Sequence, residues 1–468
     1  MRIDRISVQN FKGFEHDVFE FSRSIDAPSG NGSFHLIIGQ NGKGKTSTLD
    51  ALAVAAGSWF LGVRGEDSRH IQTADVRVKV LEFGDTERIE RQLPVVVETH
   101  GRVMGRSLHW TRELVSKRTT YVKARSIKDV AEQTVTRMQV GEEVTLPLIS
   151  YYGTARLWEE PRDTAASDDR ECLSEGGEAP QAIATSQPEE DLGSIFASRL
   201  AGYRYSIDPR CSPQDLLRWL KFEQQLAVQE RRESIQFQIV KKAIREVVEG
   251  CQGVEYHLRL GLLLDITGQP RLPFSALSDG QRNMIAMVGD LAFKAAQLNP
   301  HLGPDVLGKT PGIVLIDELD LHLHPRWQRH VVEDLRRIFP EVQFIATTHS
   351  PFIVQTMRDG EVRPLDAQPI SETSNRSVEE LARGLMGVER TDVSPRYETM
   401  KEKAKEYLVA LGEAATVPAD KLQEYLDRLA EGIGPYADNP AYQAFLELKR
   451  AGVIGMRRTG SESRSGMT

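Results

Sequence analysis

Apolar and polar residues along this chain alternate between two periods, and the switch points outline its elements. Arg2 to Asn10 sets Ile3, Ile6 and Val8 among polar neighbours, as an edge or half-buried strand would. Val18 to Phe21 predicts a second strand, and Ser22 to Ser33, with Pro28, Gly30 and Gly32, a turn-rich loop. Phe34-His35-Leu36-Ile37-Ile38 is apolar and branched, the form of a buried strand, and Thr48 to Ala55 reads as a helix. Val76 to Val80, Pro94 to Glu98 and Ser107 to Val115 predict hairpins, and Leu146 to Tyr152 another strand. Ser212 reads as an N-cap with Pro213 at the first helical position. From there to about Glu249, Leu216, Leu217, Leu220, Leu226, Ile235, Ile239, Ile244 and Val248 step at helical spacing, in one or two segments.

Further on, Met284 to Gln297 predicts an apolar helix. Gly312 to Ile316 and Val342 to Thr348 predict buried strands, with a helix from Trp327 to Phe339 between them. After about Pro369 the pattern is helical. Ser377 with Glu380 is a capping-box pair. Ser394 and Pro395 open a helix through Tyr397, Met400, Ala404, Leu408 and Leu411 that Gly412 ends. Two more helices are expected over 418–429 and 440–451, then a Ser/Gly/Arg tail from Arg457 to Thr468.

Composition adds limits. A chain of 468 residues, 40% hydrophobic and 27% charged, is of ordinary globular type with room for more than one domain. No apolar run approaches the ~20 residues that span a bilayer, and Met1-Arg2-Ile3-Asp4-Arg5 is too polar for a signal peptide. Cys172, Cys211 and Cys251 lie far apart. Together these point to the cytoplasm, with no membrane partner and no disulfide or zinc framework. The net charge of −8 is concentrated in Glu159 to Leu192, where eleven acids face only Arg162 and Arg170. That segment reads as a disordered insertion. The rest of the chain is close to neutral, so nucleic acid is not excluded as a partner. The helix over 212–249 carries Arg218, Lys221, Arg231, Arg232, Lys241, Lys242 and Arg245, and the lobe carries Arg112, Lys117, Arg118, Lys123 and Arg125. Such a charge run is either a solvated face or a phosphate-binding one.

The chemistry is carried by Gly39-Gln40-Asn41-Gly42-Lys43-Gly44-Lys45-Thr46, which fits the P-loop pattern G-x-x-x-x-G-K-[ST] between a strand and a helix. Glycines let successive backbone N–H groups curl around phosphate oxygens, and the helix N-terminus adds partial positive charge. Gly39, Asn41, Gly42, Lys43, Gly44, Lys45, Thr46 and Ser47 are the expected nucleotide contacts. Lys45 would reach the β and γ phosphates of ATP, and Thr46 would ligate Mg²⁺. Gly312 to Ile316 ends in Asp317-Glu318, a Walker B pattern. Asp317 would hold Mg²⁺, and Glu318 would orient or deprotonate the attacking water. Val342 to Thr348 ends in His349, which can sense or stabilise the γ phosphate. Asp320, His322 and His324 admit a metal-site reading, against that of a loop packing at a dimer interface.

Leu277-Ser278-Asp279-Gly280-Gln281 resembles the ABC-type signature motif, and P-loop, signature, Asp-Glu and histidine follow in the ABC order. Asn10-Phe11-Lys12-Gly13-Phe14 with the P-loop resembles the SMC, RecF and OLD-nuclease branch. Ile149 to Arg156 and Asp317 to Pro325 are most similar to the PtuA-type ATPases of bacterial Septu and retron anti-phage systems. The resemblance covers roughly Met1 to Gly360. It implies an α/β P-loop NTPase fold, an ABC-type head with an antiparallel β lobe, a helical insertion and a C-terminal helical extension. The implied divisions are 1–158, 159–272, 273–369 and 370–468. It adds Lys12, Ser278, Gly280 and Gln281 to the nucleotide contacts. It also implies a homo-oligomer, at least a head-to-head dimer in which Ser278 and Gly280 of one protomer cap the γ phosphate held by the other. An effector such as an HNH nuclease is the implied partner; the other readings are a RecF-like DNA-repair ATPase and a nuclease in its own right. Two positions depart from the family pattern. Asp279 replaces the second signature glycine, and Gly153-Thr154-Ala155-Arg156 lacks the Q-loop glutamine, so that Arg156 substitutes or the loop lies elsewhere.

Overall fold

The computed structural model describes residues 1–21, 32–83, 86–116, 118–155, 196–209, 214–366 and 376–386, with Glu402, Lys405 and Val409 beyond them. Lys117, Arg156, the acidic run 159–192, the Ser212-Pro213 cap and, those three residues apart, the helices expected after Ser394 lie outside the described residues. Residue contacts divide the chain into two units, Met1–Gly387 and Val388–Thr468.

Among the described residues fifteen strands, all in the first unit, run in chain order: β1 (Arg2–Phe11), β2 (Phe14–Glu20), β3 (Ser33–Ile38), β4 (Val78–Phe83), β5 (Thr86–Arg91), β6 (Val95–Val103), β7 (Arg106–Leu114), β8 (Thr119–Thr120), β9 (Leu148–Tyr152), β10 (Cys251–His257), β11 (Gly261–Ile266), β12 (Leu272–Pro273), β13 (Gly312–Ile316), β14 (Val342–Thr347) and β15 (Val362–Pro364). The central sheet has the order β15-β3-β14-β13-β9, and every pairing in it is parallel. All residues of β9, β13 and β14 are buried, which is why their sequences read as unbroken apolar runs. Parallel pairing puts the carboxyl ends of β3, β13, β14 and β9 along one edge, where open α/β sheets bind ligands.

A second sheet, β2-β1-β6-β7-β8, is wholly antiparallel. β1 alternates inward and outward as its sequence suggests; of the two roles open to it, half-buried holds, since it is paired on both sides. The inner face turns Val95, Val97, Thr99 and Trp110 toward the core, and Trp110 Nε1 donates to the Ala55 carbonyl at 3.0 Å. A buried amide is among the bonds that join the two sheets. Gln343 Oε1 accepts from the Ile3 N–H and its Nε2 donates to the Ile3 carbonyl, both at 2.8 Å.

The insertion is two helices, Gln214–Glu230 and Ile235–Val247. Arg231, at φ 56°, breaks the run, and Ser234 caps the second helix by accepting from the Phe237 N–H at 3.1 Å. The expected helix ends sooner than Glu249, because Cys251 begins the antiparallel sheet β10-β11-β12, which the sequence pattern does not announce. The helix Arg125–Gln139 was also not anticipated, although Ile127, Val130, Ala131, Thr134 and Val135 are buried at helical spacing. The helix expected over Trp327–Phe339 is two shorter ones, Pro325–Gln328 and Val331–Ile338. The capping box at Ser377 and Glu380 is present, with each backbone N–H bonded to the other's side chain.

Candidate functional site

The loop after β3 leads straight into the helix Lys45–Ala56. Gly42 and Gly44 have φ of 79° and 97°, conformations in which a side chain would be strained. Gly44 is also a close approach, for a Cβ there would lie 2.5 Å from the Phe14 ring. Phe14, at the start of β2, thereby ties the Asn10–Phe14 stretch to the P-loop. No side chain caps this helix at its N-terminus, so its first-turn N–H groups remain available to an anion. Lys45 Nζ donates to the carbonyls of Gly39 at 2.8 Å and Gln40 at 3.1 Å. Burial lowers the Lys45 pKa, against the opposing pull of Asp317, Glu318, Asp366 and Asp320.

Asp317 leaves the end of β13 directly opposite. Thr46 Oγ1 donates to Asp317 Oδ2 at 2.9 Å, and Thr347 Oγ1 donates to Asp317 Oδ1 at 2.6 Å. Hard oxygens from a hydroxyl and a carboxylate converge there, the donor set Mg²⁺ takes. Glu318 follows in the left-handed region at φ 49°, which is costly for a residue with a Cβ and is held by its N–H donating to Thr347 Oγ1 at 2.8 Å. Thr347 thus orients both acids, a role that nothing in its sequence context marks. Asp320 accepts from the Thr348 hydroxyl and from the His349 N–H at 3.2 Å, while the His349 side chain stays exposed at the sheet edge. His324 Nδ1 accepts from the Arg326 N–H at 3.3 Å. Asp320 and His324 are therefore committed to local caps, and among the described residues they do not gather with His322 into a set of three close ligands.

Lys12 lies beside the site but is engaged elsewhere. It pairs with Asp50 on the P-loop helix and stands 3.5 Å from Asp75. Asp50 also accepts from Arg69 and, at 3.2 Å, from the Tyr151 hydroxyl. Asp50 is a buried acid with three donors that fixes the P-loop helix against the β1 loop and β9. Only its place facing inward on a helix could have marked it in the sequence.

Ser278, Gly280 and Gln281 open the long, largely buried helix Asp279–Leu298. Ser278 Oγ accepts from the Gln281 N–H at 3.4 Å, and Gln281 Oε1 accepts from the Ser278 N–H at 3.1 Å, a reciprocal capping box. Asp279 is ion-paired with Arg282. Among the basic residues, Arg112 cannot meet a phosphate. It is fully buried in β7, and burial lowers its pKa to about 10. On the insertion, Arg218, Arg232, Lys241 and Lys242 are paired with Asp215, Glu230, Glu233 and Glu246, as on a solvated face. No helix of the described residues is long and apolar enough to cross a membrane.

Known proteins resemble the chain in several parts. A family model described as "AAA domain" matches residues 5–251, and one described as "AAA domain, putative AbiEii toxin, Type IV TA system" matches residues 153–355. The chain is 46% identical over 87 residues to the "Retron Vc95 probable ATPase" of Vibrio cholerae, covering 19% of this chain and 16% of that one. It is 32% identical over 143 residues to the Septu protein PtuA of Bacillus thuringiensis, covering 28% of this chain and 36% of that one. These alignments therefore span well under half of either relative's length. Among solved structures, the SMC head domain from Thermotoga maritima aligns over 76% of this chain and 92% of that one, at 15% identity and a TM-score of 0.36.

Proposed function

The chain belongs to the AAA domain family, and from that premise we propose that it is an ATPase acting in anti-phage defence. The observation that carries the reading is the 2.9 Å bond from Thr46 Oγ1 to Asp317 Oδ2, which brings P-loop and acidic strand end to one point. The nucleotide lies along Gly39 to Ser47 with its phosphates against the first-turn N–H groups and Lys45. Thr46 and Asp317 would hold Mg²⁺, which would supply positive charge against the phosphates. Glu318 takes a proton from the attacking water or orients it, and His349 senses or stabilises the γ phosphate. Positioning and charge stabilisation supply most of the acceleration.

Two protomers close head to head, with Ser278 and Gly280 of one completing the site of the other. The defence role rests on the retron and Septu relatives, and with it a separate effector such as a nuclease. The ion-paired insertion helices give little support to nucleic acid as a direct partner. The test is turnover by the purified chain. Lys45→Ala should lose most ATP affinity in calorimetry, and Glu318→Gln should keep affinity while turnover falls by roughly 10²–10⁴-fold. Wild-type turnover in Glu318→Gln would sink the assignment of the base, and unchanged ATP affinity in Lys45→Ala would sink the site itself.

A further inference from the structure

The outer face of the antiparallel sheet carries a group that nucleotide chemistry does not use. On β6 the inward positions are Val95, Val97, Thr99 and Gly101, so Glu98 and His100 face out. The register pairs His100 directly with His109 of β7, and the His109 side chain faces out beside it. The two imidazole rings stack with centroids 4.4 Å apart and planes 24° from parallel. Glu98, two residues before His100 on the same face, brings Oε1 to 2.8 Å from His109 Nε2 and 3.7 Å from His100 Nε2. The three potential ligand atoms all lie within 4.8 Å of one another.

We propose that Glu98, His100 and His109 form a surface site for a borderline divalent transition-metal ion, Zn²⁺ foremost. Two imidazoles and one carboxylate are the donor set that such ions take, and that Mg²⁺ and Ca²⁺ do not favour. Ligand atoms around tetrahedral Zn²⁺ stand about 3.4 Å apart, given Zn–N bonds of about 2.0–2.1 Å. The ligand atoms now lie within 4.8 Å of one another, so binding calls for side-chain rotations that bring them to that value. Three protein ligands leave a position for water, so the site is open. The inner face of the same strands packs, through Trp110, on the P-loop helix, which puts the ion on the opposite side of the sheet from the nucleotide. Arg102 lies near Asp4 and Lys123 pairs with Glu113, so neither of these competes for Glu98.

The experiment is calorimetric titration of the untagged, chelator-stripped full chain with ZnCl₂, with visible absorption of the Co²⁺ form as a second readout. One Zn²⁺ should bind per chain, and excess Mg²⁺ should not displace it. His100→Gln and His109→Gln keep a polar, exposed sheet surface, and retained ATP binding certifies the fold. Each should weaken Zn²⁺ binding by more than the roughly 10–100-fold that loss of an outer-shell partner costs, and abolish the Co²⁺ bands. The proposal is overturned if the wild-type chain binds no Zn²⁺, if the double variant binds it equally well, or if Mg²⁺ competes it away. In those cases the trio is a hydrogen-bonded surface cluster only.

Discussion

Gly280 packs against the backbone of His322, so closely that a Cβ on Gly280 would lie 2.5 Å from the His322 carbonyl oxygen. Asn283, one turn along the same helix, donates to the Leu321 carbonyl at 3.0 Å. The start of the signature helix is thus keyed to the loop that follows Asp317 and Glu318 within one protomer. A Cβ added at Gly280 would meet backbone, which cannot give as the end of a flexible side chain would.

Gly280→Ala should therefore disturb the site even where it leaves nucleotide binding intact. Overpacking of this kind costs about 1–3 kcal/mol. The melting temperature should fall and turnover should drop with it. Gly308→Ala is the control, since nothing lies within 4 Å of a Cβ there. A Gly280→Ala chain as stable and active as Gly308→Ala would show that the contact carries no constraint.

Mixing inactive chains tests the shared site. Lys45→Ala removes the phosphate contact of one protomer, and Ser278→Arg places bulk and charge where its partner would be capped. If the sites are composite, a mixture restores one working site per heterodimer, about half the wild-type rate per heterodimer and about a quarter per dimer in a randomly paired equimolar mixture. Absence of rescue, with both variants folded, means that each chain works alone.

Gln343→Leu probes the joint between the sheets. It leaves the Ile3 N–H and carbonyl buried without partners, each costing about 1–3 kcal/mol. The thermal midpoint should fall by several degrees, with ATP affinity changed less than stability. A midpoint within a degree of wild type would mean that water or a shifted β1 replaces the amide.

Glu66 makes a pH-dependent prediction. Burial raises its pKa to about 7 from 4.5, only partly offset by Arg204, while Asp67 adds to the rise. Between these values the folded state holds a proton that the unfolded state has released, so this group's contribution to stability falls as pH rises from about 4.5 to 7. Glu66→Gln should match wild type near pH 4 and exceed it above pH 7, by roughly 1–2 kcal/mol after solvent screening. Unfolding curves at both pH values decide it, and an advantage that does not grow with pH refutes the cause.

How much could be read from the chain depended on the range of the interaction. The P-loop, the strand ending in Asp317-Glu318, and the box at Ser278 and Gln281 are set by backbone geometry within a few residues. Spacing and glycine placement therefore announce them. The same holds for β3, β13 and β14, whose double-sided burial forces continuous apolar runs. The tertiary structure alone decided where side chains point when local patterns allow either face. Arg112 looked like a surface charge, and the β7 register turned it into the core. Lys12 looked like a nucleotide contact and is drawn to Asp50 and Asp75 from distant segments. Thr347, silent in sequence, becomes the hinge of both acids because β14 lies beside β13 in parallel register. His100 and His109 meet because antiparallel pairing sets them opposite each other, and strand register is fixed by the whole sheet and its core rather than by any residue near them.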